Sequence, residues 1–383
     1  MVIIRILSAT VCLLSVLPCA AGTDCALRVV RELPPSADNC RNSEGDFARL
    51  RDGRVLYIYT RFRAGDAADH VVADLAGLVS PDGLSWPGEP RIVVTNDAAQ
   101  NVMSVSLLRR RRDDLALFYL KKNSDSDCRP VLRVSSDEGR TWSAARQIVP
   151  DAEADYYVLC NARAVMTKTG RILLPLSVCR HSSAADGTAF CWYSDDDGET
   201  WRKGSGAAVA KNASGERVAL QEPGLVELRD GSILLYARTM AGCQWKSISR
   251  DGGDTWSPTE RWNLVSPCSP ALVKRLSNGS LVAIWNDHES FPEYAKKGPP
   301  WSGGVRSPLM LAISTDEGAS WPVRRILESD PAGWFCYTAA LEKDGWLILG
   351  YCSRDFLRHS RVAVVPSFWL ASDGGNAQEG KRR

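Results

Sequence analysis

Arginines recur along this chain beside a few carboxylates and one tyrosine, and together they have the chemistry of an anion-binding site. The arginines concerned are Arg41, Arg61, Arg163, Arg238 and Arg306. A guanidinium group holds a carboxylate through two parallel hydrogen bonds, so arginines in excess over carboxylates favour an anionic ligand. Any single arginine is as often a structural ion-pair partner. The prediction therefore depends on a fold that brings several of them together.

Two interleaved repeats define the elements that position these residues. The pattern S-x-D-x-G-x-T/S-W, an aspartate box, begins at Ser135, Ser194, Ser249 and Ser314, with a shortened copy at Ser80. Copies about 55 to 65 residues apart indicate one supersecondary unit used repeatedly. In each copy we expect Asp to accept hydrogen bonds from its own turn, Gly to supply a positive φ and Trp to pack against the next unit. We interpret these aspartates as structural.

The second repeat is a turn followed by a short apolar strand. It begins at six positions, which are Asp52, Asp113, Thr169, Asp230, Asn278 and Asp344. Asp-Gly and Asn-Gly between apolar runs are strong hairpin signals, because type I′ turns need positive φ. Short, evenly spaced strands predict an all-β fold, a six-bladed β-propeller of four-stranded antiparallel blades, since a solenoid would repeat at a much shorter period. We expect residues 27–30 and 361–370 to close the last blade.

This topology predicts which residues share one face. The innermost strand of a blade runs into the first hairpin and the second strand returns, so strand starts and second-strand ends lie opposite the hairpins. The residues that this rule collects are Arg41, Arg61, Asp66, Asp69, Asn101, Arg163, Glu222, Arg238, Arg306 and Tyr337. Function in such folds is built from loops at one end. The sequence therefore predicts a site for a carboxylate-bearing ligand on this face.

Composition limits the partners and the location. The 383 residues are 44% hydrophobic and 24% charged with a net charge of +2, which argues against nucleic acid or an acidic membrane surface as a partner. Residues 1–22 have one arginine, an apolar run and small residues, as is typical of a secretory signal peptide. We expect a propeller over residues 23–375, a disordered basic tail over 376–383, and a secreted or periplasmic monomer without a membrane span after signal cleavage.

Ten of the 12 cysteines follow residue 22, and export makes disulfides plausible. Cys25 with Cys40, and Cys179 with Cys191, are local pairings that the sequence permits without assigning them. No cysteines form a C-x-x-C pair and the chain has only four histidines, so a zinc site is not expected. No catalytic metal or cofactor is implied either, and a structural calcium ion in a loop stays open.

The ordered set of residues resembles the sialidase (neuraminidase) superfamily, whose six-bladed propellers carry aspartate boxes. The resemblance covers essentially the whole mature chain and rests on Glu222-Pro223, Arg238, Arg306 and Tyr337 in "FCYTAA". It implies that Glu222 pairs with Tyr337 and that Arg238 and Arg306 bind the sugar carboxylate. Family members also have an early arginine in a Phe/Tyr-Arg-Ile-Pro motif. Here "CRNSEGD" stands in its place, so Arg41 or Glu44 fills that position.

The resemblance also implies a mechanism. An acidic sugar with a carboxylate on its anomeric carbon repels a carboxylate nucleophile, whereas a tyrosine hydroxyl with Glu222 as its base avoids that repulsion. Asp66 or Asp69 would be the general acid and later the base. Arg61 and Asn101 would support these groups, and Arg163 would contact ring substituents.

The implied function is a secreted, retaining exo-sialidase-like glycoside hydrolase acting on sialylated or other acidic-sugar glycoconjugates. Two alternatives remain open at this point. One is a propeller lectin that binds acidic sugars without turnover. The other is a propeller enzyme that acts on another uronate-containing glycan.

Overall fold

The structure, a computed structural model, describes residues 26–178, 187–298, 302–355 and 357–371 of the chain. The predicted signal peptide at residues 1–22 and the predicted basic tail at 376–383 lie outside the described residues, as do Cys25 and Cys179. Across the described ranges, no helix has both the length and the apolar character needed to cross a membrane.

Strands dominate the fold and form six antiparallel blades in a ring, which confirms the predicted six-bladed β-propeller. The strands of each blade are given from the central channel outwards. Blade 1 consists of β2 (Arg41–Arg49), β3 (Val55–Phe62), β4 (Ala73–Ser80) and β5 (Arg91–Val94), and blade 2 of β6 (Asn101–Arg109), β7 (Leu115–Ser124), β8 (Asp127–Ser135) and β9 (Arg146–Gln147). Blade 3 consists of β11 (Val165–Met166), β12 (Ile172–Val178), β13 (Thr188–Ser194) and β14 (Arg202–Lys203), and blade 4 of β17 (Gln221–Glu227), β18 (Ile233–Arg238), β19 (Cys243–Ser249) and β20 (Glu260–Val265).

Blade 5 consists of β21 (Leu272–Arg275), β22 (Leu281–Asn286), β23 (Leu309–Ser314) and β24 (Val323–Glu328). Blade 6 consists of β25 (Cys336–Lys343), β26 (Trp346–Arg354), β27 (His359–Pro366) and β1 (Arg28–Leu33).

The ring is closed by the two ends of the chain, as predicted. Strand β1 pairs antiparallel with β27 and is the outermost strand of blade 6, with Arg28 opposite Val364. The chain then leaves the sheet in a short helix, α1 (Ser367–Ala371). Strands β2 and β25 are neighbours at the channel, so blades 1 and 6 meet there.

Blade 3 departs from the regular pattern. Its inner strand is split into β10 (Tyr157–Val158) and β11, and both pieces pair with β12. Outside the blades lie a small hairpin of β15 (Ala210–Lys211) and β16 (Arg217–Val218), and two 3-10 helices at Asp151–Glu153 and Pro292–Lys296. The split matters for function because it changes the direction of the side chains between β10 and β11.

Six of the seven hydrophobic clusters among the described residues each lie between two neighbouring blades. The seventh is smaller and consists of Cys160, Trp334, Cys336, Tyr337 and Cys352. Between blades 1 and 6, for example, Tyr57 and Ile348 are buried in one cluster. Alternate residues of a strand face opposite sides of its sheet, so each blade contributes one apolar face to each neighbour. This packing fixes the angle between blades and therefore the geometry of the channel.

The aspartate boxes form the predicted turns between the third and fourth strands. In the box of blade 2, Asp137 accepts hydrogen bonds from Ser135 Oγ at 2.8 Å, Thr141 N at 2.9 Å and Thr141 Oγ1 at 2.6 Å. Gly139 has a φ of 77° and donates its N–H to Ser135 Oγ. These bonds, with Thr141 Oγ1 and Thr141 N foremost, lower the pKa of Asp137 to about 2. The carboxylate is therefore a structural part of its turn.

The prediction that each box tryptophan packs against the next blade was wrong. Trp142 of blade 2 packs in the cluster between blades 1 and 2, and Trp201 of blade 3 packs in the cluster between blades 2 and 3. Trp86, Trp256 and Trp321 follow the same rule. A sheet twist rotates the outer strands relative to the inner one, and here it brings the outer turn over the preceding blade.

The six predicted hairpins all join the first and second strands of a blade. In the hairpin between β25 and β26, Asp344 and Gly345 both have positive φ, of 47° and 81°. In each of the other five hairpins one residue is positive, Gly53 being an example with a φ of 86°. The hairpins are therefore confirmed, although only one has the two consecutive positive φ angles of a type I′ turn.

All eight cysteines within the described residues are thiols, and seven of them are buried. Cys40 and Cys191 are among these thiols, and the partners that the sequence permitted for them, Cys25 and Cys179, lie outside the described residues.

Candidate active site

The site is built by one backbone irregularity that recurs on the inner strands. Five residues near the channel have positive φ despite having side chains, and these are Glu44, Ser104, Ala162, Glu222 and Tyr337, with φ between 48° and 64°. In blades 1, 2, 4 and 6 the pairing register of the inner strand shifts at this position. A β-bulge breaks the in-and-out alternation and turns a side chain in a new direction. Here it lets four inner strands contribute side chains to one cavity.

A glycine next to one of these bulges shows how closely the chain packs there. A Cβ atom on Gly224, two residues after Glu222, would lie 2.3 Å from Tyr236 Cζ. The Tyr236 ring therefore occupies the space beneath the bulge, and it supports the strand from below.

Tyr337 and Glu222 form a hydrogen-bonded pair in the cavity. Tyr337 Oη donates to Glu222 Oε1 at 3.0 Å, and only 8% of Tyr337 is exposed. Arg238 Nη1 donates to Glu222 Oε2 at 2.7 Å and lies 3.4 Å from Tyr337 Oη. Burial and the Glu222 carboxylate raise the pKa of Tyr337 well above its ordinary value. The phenol is therefore neutral and its proton points at a base.

Arg306 lies beside this pair as a buried cation. Its guanidinium lies over the rings of Trp334 and Tyr337, 5.4 and 5.5 Å from their centroids. It donates to Cys336 Sγ and to the carbonyl of Cys268, each at 3.1 Å. Within the described part of the chain it forms no ion pair with a carboxylate. A buried arginine without a carboxylate partner is suited to hold an anionic ligand.

Asp69 lines the cavity, and the buried Arg41 is its ion-pair partner. Arg41 Nη1 donates to Asp69 Oδ1 at 2.6 Å, and Nη2 lies 3.7 Å from Glu44 Oε1. The Asp69 side chain is 66% exposed, whereas Arg41 is buried against the Phe62 ring. Desolvation acts to raise the pKa of Asp69, but the Arg41 charge outweighs it and the pKa is lowered. Asp69 is therefore ionised while it holds Arg41.

Both early candidates, Arg41 and Glu44, reach the cavity region. Glu44 is buried, and its Oε2 accepts a hydrogen bond from Ser104 Oγ at 3.0 Å. Burial, opposed by Arg41 and assisted by Asp69, raises the pKa of Glu44 to about 8. Its carboxyl group is therefore protonated at neutral pH.

A cavity of about 220 Å³ lies beside these residues. Arg41 and Arg306 are buried and do not line it, but they contact two lining residues, Asp69 and Tyr337. Its lining consists of Glu44, Asp69, Met103, Ser104, Leu120, Tyr156, Tyr157, Val158, Leu159, Gln221, Glu222, Arg238 and Tyr337. The charged groups face an apolar wall formed by blades 2 and 3. A site with one polar and one apolar side fits a sugar ring that carries a charged group and an apolar substituent.

The sequence reasoning missed the apolar wall. Tyr156 and Tyr157 come from the stretch "DYYVLC", which follows β9 and belongs to no repeat. The signal available was a pair of aromatic residues just before "CNARA", at the start of an inner strand.

Three other predicted residues, Asn101, Arg61 and Asp66, lie outside the cavity lining. Asn101 donates from Nδ2 to the carbonyls of Asp69 and Val71, at 2.6 and 3.1 Å, so it holds the loop that carries Asp69. Arg61 donates to Asp38 at 2.8 Å and does not line the cavity. Asp66 accepts from Ala68 N and lies 3.6 Å from His70, also outside the lining.

Arg163 is turned away from the cavity. It is fully buried and crosses the channel, donating to the carbonyl of Ala271 at 2.5 Å and to Tyr236 Oη at 3.2 Å. The split inner strand of blade 3 accounts for this direction, since Arg163 lies between β10 and β11. Its side chain joins blades 3, 4 and 5 beneath the site.

A larger cavity of about 340 Å³ lies at the hairpin end of the channel, around Lys274. Its lining contains no tyrosine, so we assign the candidate site to the smaller cavity, which holds the Tyr337–Glu222 pair beside Arg238. Within the described residues, no three side chains of His, Cys, Asp or Glu are grouped to hold a metal ion.

Comparisons with known proteins agree with this arrangement. The family described as BNR repeat-like domain matches residues 64–349. A sialidase of Micromonospora viridifaciens is 26% identical over 218 residues, 54% of this chain and 31% of that protein. An anhydrosialidase of Macrobdella decora is 28% identical over 236 residues, 55% of this chain and 29% of that protein. The chain thus spans about a third of the length of these relatives.

Among solved structures, the NanB sialidase of Streptococcus pneumoniae superposes with a TM-score of 0.69 at 14% identity, covering 90% of this chain and 71% of that one. This likeness shows the fold.

Proposed function

The chain belongs to the BNR repeat-like domain family of the sialidase superfamily, and we propose that it is a retaining exo-sialidase-like glycoside hydrolase. Its substrate would be terminal sialic acid, or a related acidic sugar, on a glycoconjugate. The observation that carries the proposal is the hydrogen bond from Tyr337 to Glu222, made beside Arg238 in one cavity, with the buried Arg306 guanidinium over the Tyr337 ring.

The arginines would bind the substrate carboxylate. Arg306 has no carboxylate partner among the described residues, and Arg238 uses Nη1 for Glu222 and Nε for Gln221. A ligand carboxylate between the two guanidinium groups would gain charge-assisted hydrogen bonds in a partly buried site. This contact would orient the anomeric carbon toward Tyr337.

Tyr337 would act as the nucleophile. As its Oη bonds to the anomeric carbon, the glycosidic C–O bond breaks and the phenolic proton passes to Glu222. The raised pKa of Tyr337 keeps the phenol neutral beside an anionic substrate until that transfer. Arg238 Nη1, 3.4 Å from Oη, would stabilise the charge that develops on the oxygen.

Asp69 would act as the general acid, because it faces the cavity and Asp66 does not. The ion pair with Arg41 lowers its pKa in the free protein. A substrate carboxylate near Arg41 would weaken that ion pair and add a like charge, so it would raise the pKa of Asp69. The acid would then protonate the leaving oxygen and later accept a proton from the water that breaks the bond to Tyr337.

Export completes the proposal. The composition of residues 1–22 supports a secreted or periplasmic location. Sialylated glycoconjugates outside the cytoplasm would then be accessible to the protein.

One observation favours a second candidate, an enzyme for another uronate-containing glycan. Arg41 is ion-paired with Asp69 and Arg238 with Glu222, so of the three arginines only Arg306 has no carboxylate partner among the described residues. A sugar with its carboxylate on a carbon other than the anomeric one could use Arg238 and Arg306 alone.

The test compares a fluorogenic α-sialoside with the corresponding β-glucuronide. We expect the purified full chain to release the fluorophore from the sialoside, the first sugar product to have the α configuration, and Tyr337→Phe to lose this activity. Tyr294→Phe, a tyrosine outside the cavity lining, is the matched control. Product analysis also separates hydrolysis from formation of an anhydro sugar, the reaction that the name of the Macrobdella decora relative suggests.

Undiminished release by Tyr337→Phe would overturn the mechanism. Turnover of the glucuronide alone would establish the uronate candidate, and binding without release would make the protein a lectin.

A further inference from the structure

Glu44 is a carboxyl group in the cavity to which the proposed mechanism gives no step. It occupies the same inner-strand bulge in blade 1 that Glu222 occupies in blade 4 and Tyr337 in blade 6. It lines the cavity together with both of them. Since the bulge carries the proposed nucleophile and its base, the third titratable residue at this position requires a functional account.

Burial and the neighbouring anionic groups favour the protonated acid at Glu44, whereas its two nearest polar contacts favour the ionised form. From its own strand Arg41 approaches to 3.7 Å, and from β6 Ser104 Oγ lies 3.0 Å away. The other charged or titratable neighbours come from other elements and are Asp69 before β4, Glu222 on β17, Tyr337 on β25 and Cys352 on β26. Burial has the largest effect on the pKa of Glu44, Arg41 opposes it, and Asp69, Cys352 and Glu222 add to it.

We propose that Glu44 selects for an anionic sugar by donating a hydrogen bond, as a neutral carboxylic acid, to the carboxylate of the substrate beside Arg41. This inference rests on the proposed function and deepens it. An O–H donor to an anionic oxygen makes a charge-assisted bond, roughly twice as strong as one between neutral groups. The ionised form has no proton to donate, repels the substrate carboxylate and competes with it for Arg41.

Substrate binding is therefore linked to one proton on Glu44. Below a pH of about 8 the proton is present in the free site and binding does not depend on it. Above that pH each substrate that binds must be accompanied by a proton taken up from solution. The apparent affinity then falls by up to about tenfold for each pH unit.

The experiment measures kcat and KM of the full chain from pH 6 to pH 10 for the wild type, Glu44→Gln and Glu44→Ala. Glutamine keeps a hydrogen-bond donor at every pH and cannot ionise. We expect kcat/KM of the wild type to fall above a pH of about 8 and Glu44→Gln to lose that decline, with KM at pH 6 raised about threefold. Glu44→Ala should raise KM at pH 6 by about 10- to 100-fold, with a smaller change in kcat.

Thermal unfolding of each variant controls for folding. An alkaline decline in Glu44→Gln equal to that of the wild type, or an unchanged KM in Glu44→Ala, would overturn the inference while leaving the proposed function standing.

A binding measurement separates this inference from the proposed function. Calorimetry with N-acetylneuraminic acid and with glucuronic acid, at pH 6 and pH 9, compares the wild type with Glu44→Gln without any need for turnover. We expect weaker binding at pH 9 in the wild type only. The same pH dependence in both proteins overturns the role of Glu44, and the absence of binding to either acid overturns the proposed function together with it.

Discussion

The phenol oxygen of Tyr337 lies 3.0 Å from Glu222 Oε1, although 115 residues separate the two in sequence. The contact follows from one backbone feature, because both residues occupy the positive-φ bulge of an inner strand, with φ of 56° and 48°. Blade 5 lies between their blades in the ring. The pair therefore depends on how blades 4, 5 and 6 are arranged around the channel, which links the chemistry of the site to the fold.

The first prediction concerns the coupling between these two residues. If Glu222 accepts the proton of Tyr337, then Tyr337→Phe and Glu222→Gln remove parts of one step. Each should lower kcat/KM for an aryl sialoside by about 10²- to 10⁴-fold. The double variant should lose little more than either single one, because residues that act as a unit are not additive.

Arg238 complicates this measurement, since it contacts Glu222 and Tyr337. Circular dichroism should therefore establish that each variant retains the wild-type fold. Losses that multiply in the double variant would show that the two side chains act in separate steps.

The second prediction separates Asp69 from Asp66. Asp69→Asn should lower kcat/KM by about 10²- to 10⁴-fold for a sialoside with an alkyl leaving group, which needs protonation to depart. The loss should be smaller for an aryl leaving group, which departs more easily as an anion. Asp66→Asn is the matched control, since Asp66 lies on the same loop and outside the cavity lining.

The pH dependence gives a second readout for Asp69. The asparagine variant should lose the alkaline limb of kcat that the acid form of Asp69 produces in the enzyme–substrate complex. Equal effects on both leaving groups, or a larger effect of Asp66→Asn, would remove Asp69 from the acid role.

The architecture could be predicted from the sequence because its signals are local. The box residues Asp137 and Gly139 belong to one turn, and the turn requires their chemistry wherever it occurs. The hairpin turns are equally local, and counting the six of them predicted the number of blades. The blade topology then placed Glu222, Arg238 and Tyr337 on one face, because inner-strand starts and second-strand ends meet there.

The rest depended on irregular segments. The loop between β3 and β4 belongs to no repeat, so only the ion pair with Arg41 and the hydrogen bonds from Asn101 distinguish Asp69 from Asp66. The direction of the Arg163 side chain could not be predicted either, because the inner strand of blade 3 is interrupted next to it. A sequence pattern locates a residue at an end of the channel, whereas a bulge or a split strand decides where its side chain points.

The third prediction concerns the aspartate boxes, which we interpret as structural. Asp137→Asn removes a charged acceptor from the hydrogen bonds of Thr141 and Ser135. It should lower the free energy of unfolding by about 1 kcal/mol and the melting temperature by about 2 °C. The stability of the wild type should fall as pH drops from about 4 toward 2. The reason is that the folded-state pKa of about 2 lies below the ordinary value of 3.8, so protonation then removes a stabilising charge.

The variant should lose less stability than the wild type over the same acid range, and its kcat at pH 6 should not change. Thermal unfolding, followed by circular dichroism at pH 7 and pH 3, measures the stability of both proteins, and an activity assay at pH 6 measures kcat. The control is Asp125→Asn, a substitution of an exposed aspartate outside the boxes. A melting temperature equal to that of the control variant would show that the carboxylate contributes nothing to the turn. A loss of kcat in folded Asp137→Asn would instead connect the box to the chemistry of the channel.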